Sequence, residues 1–166
     1  LKFKFTNTKI TQQEVVWLKK ILLAVDGSES SKKAAKEAAK LASSLNAHVS
    51  LITVVTPNYS HNIETIEVSN AEMSMERMEE MREEKKKEGN KILDEAAEFL
   101  EKENIKVAKK VYEGNPAEKI CQVAEDENYD MIVVADKGLG GIKRFFLGSI
   151  SDKVVRHANT SVLVVK

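Results

Sequence analysis

The chain has 166 residues, 42% hydrophobic and 31% charged, which is typical of one globular domain with a sizeable core. The basic and acidic residues number 26 each, so the net charge is zero and offers no general attraction for nucleic acid. The single cysteine, Cys121, excludes disulfides within the chain, and no apolar run approaches the ~18 residues of a membrane span. We therefore expect a cytoplasmic protein that binds neither nucleic acid nor a membrane.

The N-terminal residues 1–17 are predicted to form an extension, and residues 18–166 a single domain. Leu1, Phe3 and Phe5 alternate with lysines, as in a short strand with one apolar face. A strand added to a sheet edge and a disordered tail are both compatible with this pattern.

The first strand of the domain is predicted over residues 20–25 and ends at Asp26. Ser28 or Ser30 is predicted to cap the helix that follows, and an alanine-rich apolar stripe indicates that this helix lies close to a sheet. The helix is predicted to close at Asn46, before a second strand over residues 49–55.

Residues 56–70 have no clear period and are predicted to form a loop, followed by a long charged helix over residues 71–104. The apolar stripe of this helix includes Met78 and Met81. Together with Met73 and Met75, they are interpreted as core filler in preference to a partner-facing patch, because methionine adapts to irregular surroundings.

The second half of the chain repeats the alternation of strands and helices. Strands are predicted over residues 105–111, 131–135 and 161–165. A helix is predicted over residues 117–127, with Pro116 suited to the first position of a helix, and it carries Cys121 on its buried stripe as a structural thiol. The first of these strands is the most polar and is expected near a sheet edge. The alternation predicts an α/β fold with a parallel sheet, helices on both faces and right-handed crossovers.

A glycine-rich loop follows the strand over residues 131–135. It contains Gly138, Gly140 and Gly141 and ends at Gly148, and Ser149 is predicted to be the N-cap of the next helix. Loop amides and the positive end of a helix then converge on a small space, which suits a phosphate. The spacing is neither that of a Walker A loop nor that of the dinucleotide fingerprint, and a merely flexible loop is the alternative.

Asp26 stands at the end of the first strand, and ligands of open parallel sheets bind at the carboxyl ends of strands. If the first and fourth strands are neighbours, Asp26 and the glycine loop line one crevice. A carboxylate would repel phosphate but accept hydrogen bonds from ribose hydroxyls. Asp26 at the ribose and the glycine loop at the phosphates together predict a nucleotide site. The alternative is that Asp26 and Gly27 form only a turn and a helix cap.

A longer motif that includes the glycine loop resembles the pattern of a known protein family. Ala135-Asp-Lys-Gly138, nine further residues and Gly148-Ser149 are similar to Gly-x2-Gly-x9-Gly-Ser/Thr, which marks the nucleotide-binding branch of the universal stress protein family. The stretches Ile-Leu-Leu-Ala-Val-Asp-Gly-Ser and Arg-His-Ala-Asn-Thr-Ser-Val-Leu-Val-Val also resemble the family pattern. The similarity covers residues 18–166.

The resemblance implies a Rossmann-like fold of the adenine nucleotide α-hydrolase type, with five strands in the order 3-2-1-4-5. It also implies a cytoplasmic homodimer formed through residues 161–166, and ATP as the ligand, with Mg²⁺ or Mn²⁺ as a possible companion. The nucleotide-binding positions that it implies are Asp26 and Ala135 at the ribose, the Val54 backbone at the adenine, and Gly138, Gly148, Ser149 and Ile150 at the phosphates.

Ala135 departs from the family pattern, because it occupies the position of the first glycine. Two outcomes are open: the methyl group crowds the ribose, or it is tolerated because φ is negative.

Three functions are compatible with the sequence. The first is an ATP-binding, stress-response regulatory protein with at most slow ATP hydrolysis, since no general base is evident near the motif. The second is a nucleotide hydrolase or nucleotidyl transferase that uses the same cleft, which turnover well above ~1 s⁻¹ would favour. The third is a dimeric interaction module that binds no nucleotide and uses the methionine surface.

Overall fold

The computed structural model describes residues 18–56, 71–140 and 146–166, and for residues 71–74 the backbone alone. The predicted N-terminal extension, residues 57–70 of the predicted loop and residues 141–145 of the glycine loop lie outside the described residues. The domain boundary at residue 18 therefore stays a prediction.

In the described residues, five strands alternate with four helices. They are β1 (Lys20–Ala24), α1 (Glu29–Leu45), β2 (His48–Val55), α2 (Ala71–Glu101), β3 (Val107–Glu113), α3 (Pro116–Asp126), β4 (Met131–Ala135), α4 (Ser149–His157) and β5 (Ser161–Val165).

The strands form one parallel sheet in the order β3-β2-β1-β4-β5, which confirms the predicted fold class and strand order. The polar strand β3 lies at an edge, as expected. β1 and β4 are central neighbours, with Leu22 opposite Ile132. Because the two strands are parallel, the segments that follow them leave the sheet at the same end.

Alternate side chains of each strand enter two hydrophobic clusters on opposite faces of the sheet. Ile21 and Leu23 lie in the cluster that includes α1 and α2, whereas Leu22 lies in the cluster that includes α3 and α4. The helices therefore cover both faces. The alanine stripe of α1 is buried, as the sequence predicted, and consists of Ala34, Ala35, Ala38, Ala39 and Ala42.

Local capping signals define several helix ends as predicted. The Oγ atom of Ser28 accepts a 3.1 Å hydrogen bond from the Ser31 amide and caps α1, and Asn46 ends this helix in the left-handed region with φ of 50°. Pro116 is the first residue of α3, where its missing N–H costs nothing.

The N-terminal half of α2 corrects one expectation. Met75, Met78 and Met81 expose 72%, 44% and 48% of their surface and are not core filler. The helix has 31 residues and is about 46 Å long, while the seven residues of β3 span only about 23 Å. The helix thus extends past the sheet, and its apolar stripe is buried only where strands lie beneath it, from Gly89 onward.

The connection from α2 to β3 also differs from the prediction. α2 ends at Glu101 instead of residue 104, and β3 covers Val107–Glu113 instead of residues 105–111. The Ile105 amide donates a 3.0 Å bond to the Leu100 carbonyl, and Asn104 has φ of 59°, so both residues belong to the turn.

Across the described ranges, no helix combines the length and the apolar character that a membrane span requires.

Candidate functional site

Asp26 connects the end of β1 to the glycine loop. Its Oδ1 accepts a 3.0 Å hydrogen bond from the Ser28 amide, and its Oδ2 accepts a 3.1 Å bond from the Leu139 amide. The acid that follows β1 and the loop that follows β4 are therefore in direct contact, although they are separated by 113 residues in the sequence.

Gly138 lies directly against the Asp26 carboxylate. A β-carbon built at Gly138 would be 2.4 Å from Asp26 Oδ2, a distance that excludes any side chain without displacement of the carboxylate. Glycine at this position therefore lets the loop backbone lie directly against the carboxylate of Asp26 in its present orientation.

Gly148 brings the start of α4 against the same stretch of backbone. Its amide donates a 2.7 Å bond to the Asp136 carbonyl, and a β-carbon there would lie 3.3 Å from both the Asp136 oxygen and the Lys137 Cα atom. Both ends of the glycine loop thus meet beside Gly138, and the loop closes on itself at the carboxyl end of β4.

The N-cap of α4 is Gly148, so the prediction that Ser149 caps this helix is wrong. Gly148 has the extended backbone of a cap residue, with φ of −63° and ψ of 150°, and it offers no side-chain acceptor. Ser149 and Ile150 are the first two helical residues, and both side chains are exposed. The shift has a steric cause, because the contact of Gly148 with residues 136–138 fixes where the chain turns into the helix.

The N-cap of α4 differs from those of α1 and α3 because its residue has no side chain that accepts a hydrogen bond. Ser28 caps α1 through Oγ, and Asn115 caps α3 through an Oδ1 that accepts bonds from two amides. At α4, no side chain of the described residues accepts a capping bond from the first-turn amides at the positive end of the helix. An external anion could supply it, since helix N-termini attract negative charge.

Val54 lies where β2 continues beyond its neighbour β1. The β1 pairing ends at Ala24 opposite Ile52, with a last bond from the Val25 amide to the Ile52 carbonyl at 2.9 Å. In a parallel ladder successive residues direct their polar groups to opposite sides. The Val54 amide and carbonyl therefore point to the same side as those of Ile52, into the space beyond the end of β1.

Ala135 ends β4, and its methyl group packs in the hydrophobic cluster on the α1 side of the sheet, with 8% of the residue exposed. It is not among the described residues with positive φ. The sequence left open whether the Ala135 methyl group crowds the ribose or is tolerated because φ is negative. The observed geometry matches the second outcome.

The two described histidines lie away from the glycine loop. His48 begins β2 at the amino end of the sheet, and His157 ends α4. Burial raises the pKa of the Cys121 thiol, which packs against the core cluster on the α3 side and stays protonated near neutral pH. Among the described residues, no group of three or more His, Cys, Asp or Glu side chains is arranged to hold a metal ion.

Two further contacts were not foreseen from the sequence. The buried Ser151 donates a 2.6 Å bond through Oγ to the Ala135 carbonyl, and Lys137 Nζ lies 3.9 Å from Asp136 Oδ2. A serine in the first turn of a helix is common, and nothing in the local pattern indicates a partner 16 residues earlier.

Comparison with known proteins gives consistent matches. A family model described as the universal stress protein family matches residues 18–166. The chain is 34% identical over 166 residues to a universal stress protein of Methanocaldococcus jannaschii, covering 100% of this chain and 92% of that protein. It is 33% identical over 148 residues to the universal stress protein YxiE of Bacillus subtilis, covering 89% and 98% of the two chains.

Solved structures share the fold. The structure of protein MJ0577 of Methanocaldococcus jannaschii matches with a TM-score of 0.72 at 27% identity, covering 90% of this chain and 96% of that one. A family protein from Arabidopsis thaliana with AMP bound matches with a TM-score of 0.62 at 21% identity, covering 89% and 91%. A universal stress protein from Archaeoglobus fulgidus in complex with dAMP gives 0.63 at 18%, covering 91% and 99%.

The last two likenesses, at their low identities, concern the fold alone. The family model, however, spans residues 18–166, and the 34% identical relative covers the full length of the chain. The protein therefore belongs to the universal stress protein family.

Proposed function

We propose that the protein is a cytoplasmic, ATP-binding regulatory protein of the stress response. The observation that carries the proposal is the contact between the Asp26 carboxylate and the Gly138–Leu139 backbone, beside the uncapped start of α4. It supplies a carboxylate and a set of backbone amides at one end of the sheet, which are the two kinds of group that a nucleotide requires.

The phosphates are assigned to the backbone around Gly138, Gly148, Ser149 and Ile150. The first-turn amides of α4 and the helix dipole favour an anion there. The exposed Ser149 side chain adds a hydroxyl donor at the same end of the helix. No side chain at Gly138 or Gly148 obstructs the approach of a phosphate to the loop backbone.

The ribose is assigned to Asp26, with Ala135 beside it. An ionised carboxylate accepts about four hydrogen bonds, and two of these come from the Ser28 and Leu139 amides, so capacity remains for ribose hydroxyls. The adenine is assigned to the Val54 amide and carbonyl, which point beyond the end of β1 and match the donor and acceptor pattern of an adenine edge.

The relatives support an adenine nucleotide as the ligand class, because two solved structures of the same fold contain AMP and dAMP. A regulatory role is preferred to rapid catalysis, since the two described histidines lie away from Asp26 and the thiol of Cys121 stays protonated. Any ATP hydrolysis would then be slow and would depend on loop amides and a bound Mg²⁺ or Mn²⁺.

Isothermal titration calorimetry with ATP, ADP, AMP, cyclic AMP and GTP tests this proposal, with each nucleotide measured with and without Mg²⁺ or Mn²⁺. We expect saturable binding of one adenine nucleotide per chain and much weaker binding of GTP, whose purine edge reverses the donor and acceptor of adenine. The absence of heat with every adenine nucleotide would contradict the proposal.

A homodimer through β5 is also proposed. Among the described strands, β5 pairs with β4 alone and lies at the edge of the sheet, and such edges are templates for pairing with another chain. The Val165 carbonyl accepts a hydrogen bond from the Asp136 amide, so the polar groups of Val165 face β4, whereas the amide of Val164 points to the open edge.

Val164→Pro removes this amide and is expected to give a folded monomer in sedimentation equilibrium, whereas the unmodified chain is expected to be a dimer. A monomeric unmodified chain would refute this assembly.

A second candidate function is favoured by the exposed methionines of α2. Met75, Met78 and Met81 recur at a spacing of three residues on a face that projects beyond the sheet, as in adaptable protein-binding surfaces. An interaction module that binds no nucleotide would use this face. Mass spectrometry of a denatured extract of the purified protein separates the two functions, because bound ATP or AMP in the extract favours nucleotide binding.

A further inference from the structure

Ser151 lies in the first turn of α4, and its side chain is directed inward. The residue is 5% exposed, and its hydroxyl donates a 2.6 Å bond to the carbonyl oxygen of Ala135, the last residue of β4. This bond joins the helix that begins the candidate phosphate site to the strand that precedes the glycine loop.

Ser31 shows what a serine at the same helical position does elsewhere in the chain. It is the third residue of α1, as Ser151 is the third residue of α4, and it is 2% exposed. Its hydroxyl, however, donates to the carbonyl of Ser28, the N-cap of its own helix, at 2.9 Å. The bond of Ser31 is local, whereas the bond of Ser151 reaches out of its helix to the sheet.

The backbone around Ala135 is held by two more hydrogen bonds. The Asp136 amide donates to the Val165 carbonyl of β5 at 2.7 Å, and the Asp136 carbonyl accepts from the Gly148 amide at 2.7 Å. The first fixes the loop start to the sheet, and the second fixes the N-cap to the loop. The Ser151 bond adds a second attachment between helix and strand, so α4 cannot pivot about Gly148 alone.

We propose that Ser151 is a positioning residue for the phosphates of the bound nucleotide, an inference that rests on the proposed function. Hydrogen bonds weaken steeply with misalignment, so a phosphate held between loop amides and helix amides needs both sets at a fixed mutual angle. Ser151 sets that angle without touching the ligand. The adenosine part is assigned to Asp26, Val54 and Ala135. Ala135 pairs with Val165 in the sheet, Val54 lies in β2 and Asp26 follows β1, so these three residues keep their places when α4 changes its orientation.

Calorimetric titration of ATP and adenosine into the full chain tests this role in the unmodified protein, Ser151→Ala and Ser151→Thr. Ser151→Ala is expected to lower ATP affinity about tenfold and to leave adenosine affinity within about twofold. Ser151→Thr keeps the hydroxyl and is expected to restore ATP affinity. Ser31→Ala is the matched control, since it removes an equally buried hydroxyl bond and should leave the ratio of ATP to adenosine affinity unchanged.

If Ser151→Ala acted only by lowering stability, the affinities for ATP and adenosine would fall equally. An equal fall of both affinities, or an unchanged ATP affinity, overturns the positioning role of Ser151 and leaves the proposed function intact. If Ser151→Ala does not fold, Ser151→Cys, whose thiol is a weak donor, provides the same comparison. An unmodified chain that binds neither ATP nor adenosine refutes the proposed function and this inference with it.

Discussion

Gly148→Val is expected to reduce ATP affinity by about 100-fold or more, to the limit of calorimetric detection. A β-carbon at Gly148 already lies 3.3 Å from the Asp136 oxygen and the Lys137 Cα atom, and valine adds two methyl groups on a stiff χ1. Because the neighbours are backbone atoms, they cannot rotate away. The start of α4 must therefore move from the loop, and the amides assigned to the phosphates separate.

Steric exclusion is the only effect expected from this substitution. Gly148 has φ of −63°, which valine adopts without strain, and the residue is only partly buried at the start of α4. Thermal unfolding and sedimentation should therefore show a folded dimer. An unchanged dissociation constant for ATP would show that this loop is not the phosphate site.

Gly140→Val provides the matched control in the same loop. Gly140 is exposed, and no atom of the described residues lies within 4 Å of a β-carbon built there. The same side chain is thus added eight positions earlier without a steric conflict. We expect ATP affinity within about threefold of the unmodified protein.

Gly89→Leu is expected to lower the free energy of unfolding by about 3 kcal/mol, or roughly 10 °C in Tm. At Gly89, α2 packs directly on the sheet: a β-carbon there would lie 2.9 Å from Val111 Cγ1 and 3.1 Å from Thr53 Cγ2. Both neighbours are β-branched residues with little rotamer freedom, so the helix must move away. In an exposed helix position, replacing glycine normally raises stability by about 1 kcal/mol through helix propensity. The expected change at Gly89 therefore has the opposite sign to the effect of propensity.

Lys91→Leu controls for the leucine itself, because Lys91 is exposed two residues further along the same helix. Leucine and lysine have nearly equal helix propensities, so its Tm should stay within about 2 °C. Chemical denaturation monitored by circular dichroism measures both variants. If Gly89→Leu matches or exceeds the unmodified protein in stability, the close approach of α2 to β2 and β3 is incorrect.

The element order was readable from the sequence because hydrophobic periodicity is a local property. The buried apolar runs at residues 21–25 and 131–135, and the alanine stripe of α1, require a strand or a helix whatever surrounds them. Ser28, Asn46 and Pro116 mark helix ends through their own backbone and side-chain chemistry. The exposure of Met78 and Met81 was missed, since it depends on where the sheet ends beneath α2.

By itself, the sequence determined the α/β class, the positions of all nine described elements to within a few residues, and the family motif from Ala135 to Ser149. Only the tertiary structure decided that Asp26 touches the Gly138–Leu139 backbone, that Gly148 and not Ser149 caps α4, and that Ser151 bonds to β4. The physical reason is the distance along the chain over which each kind of interaction acts. Propensity and capping act over a few residues, whereas these contacts join segments that meet only when parallel strands align their carboxyl ends.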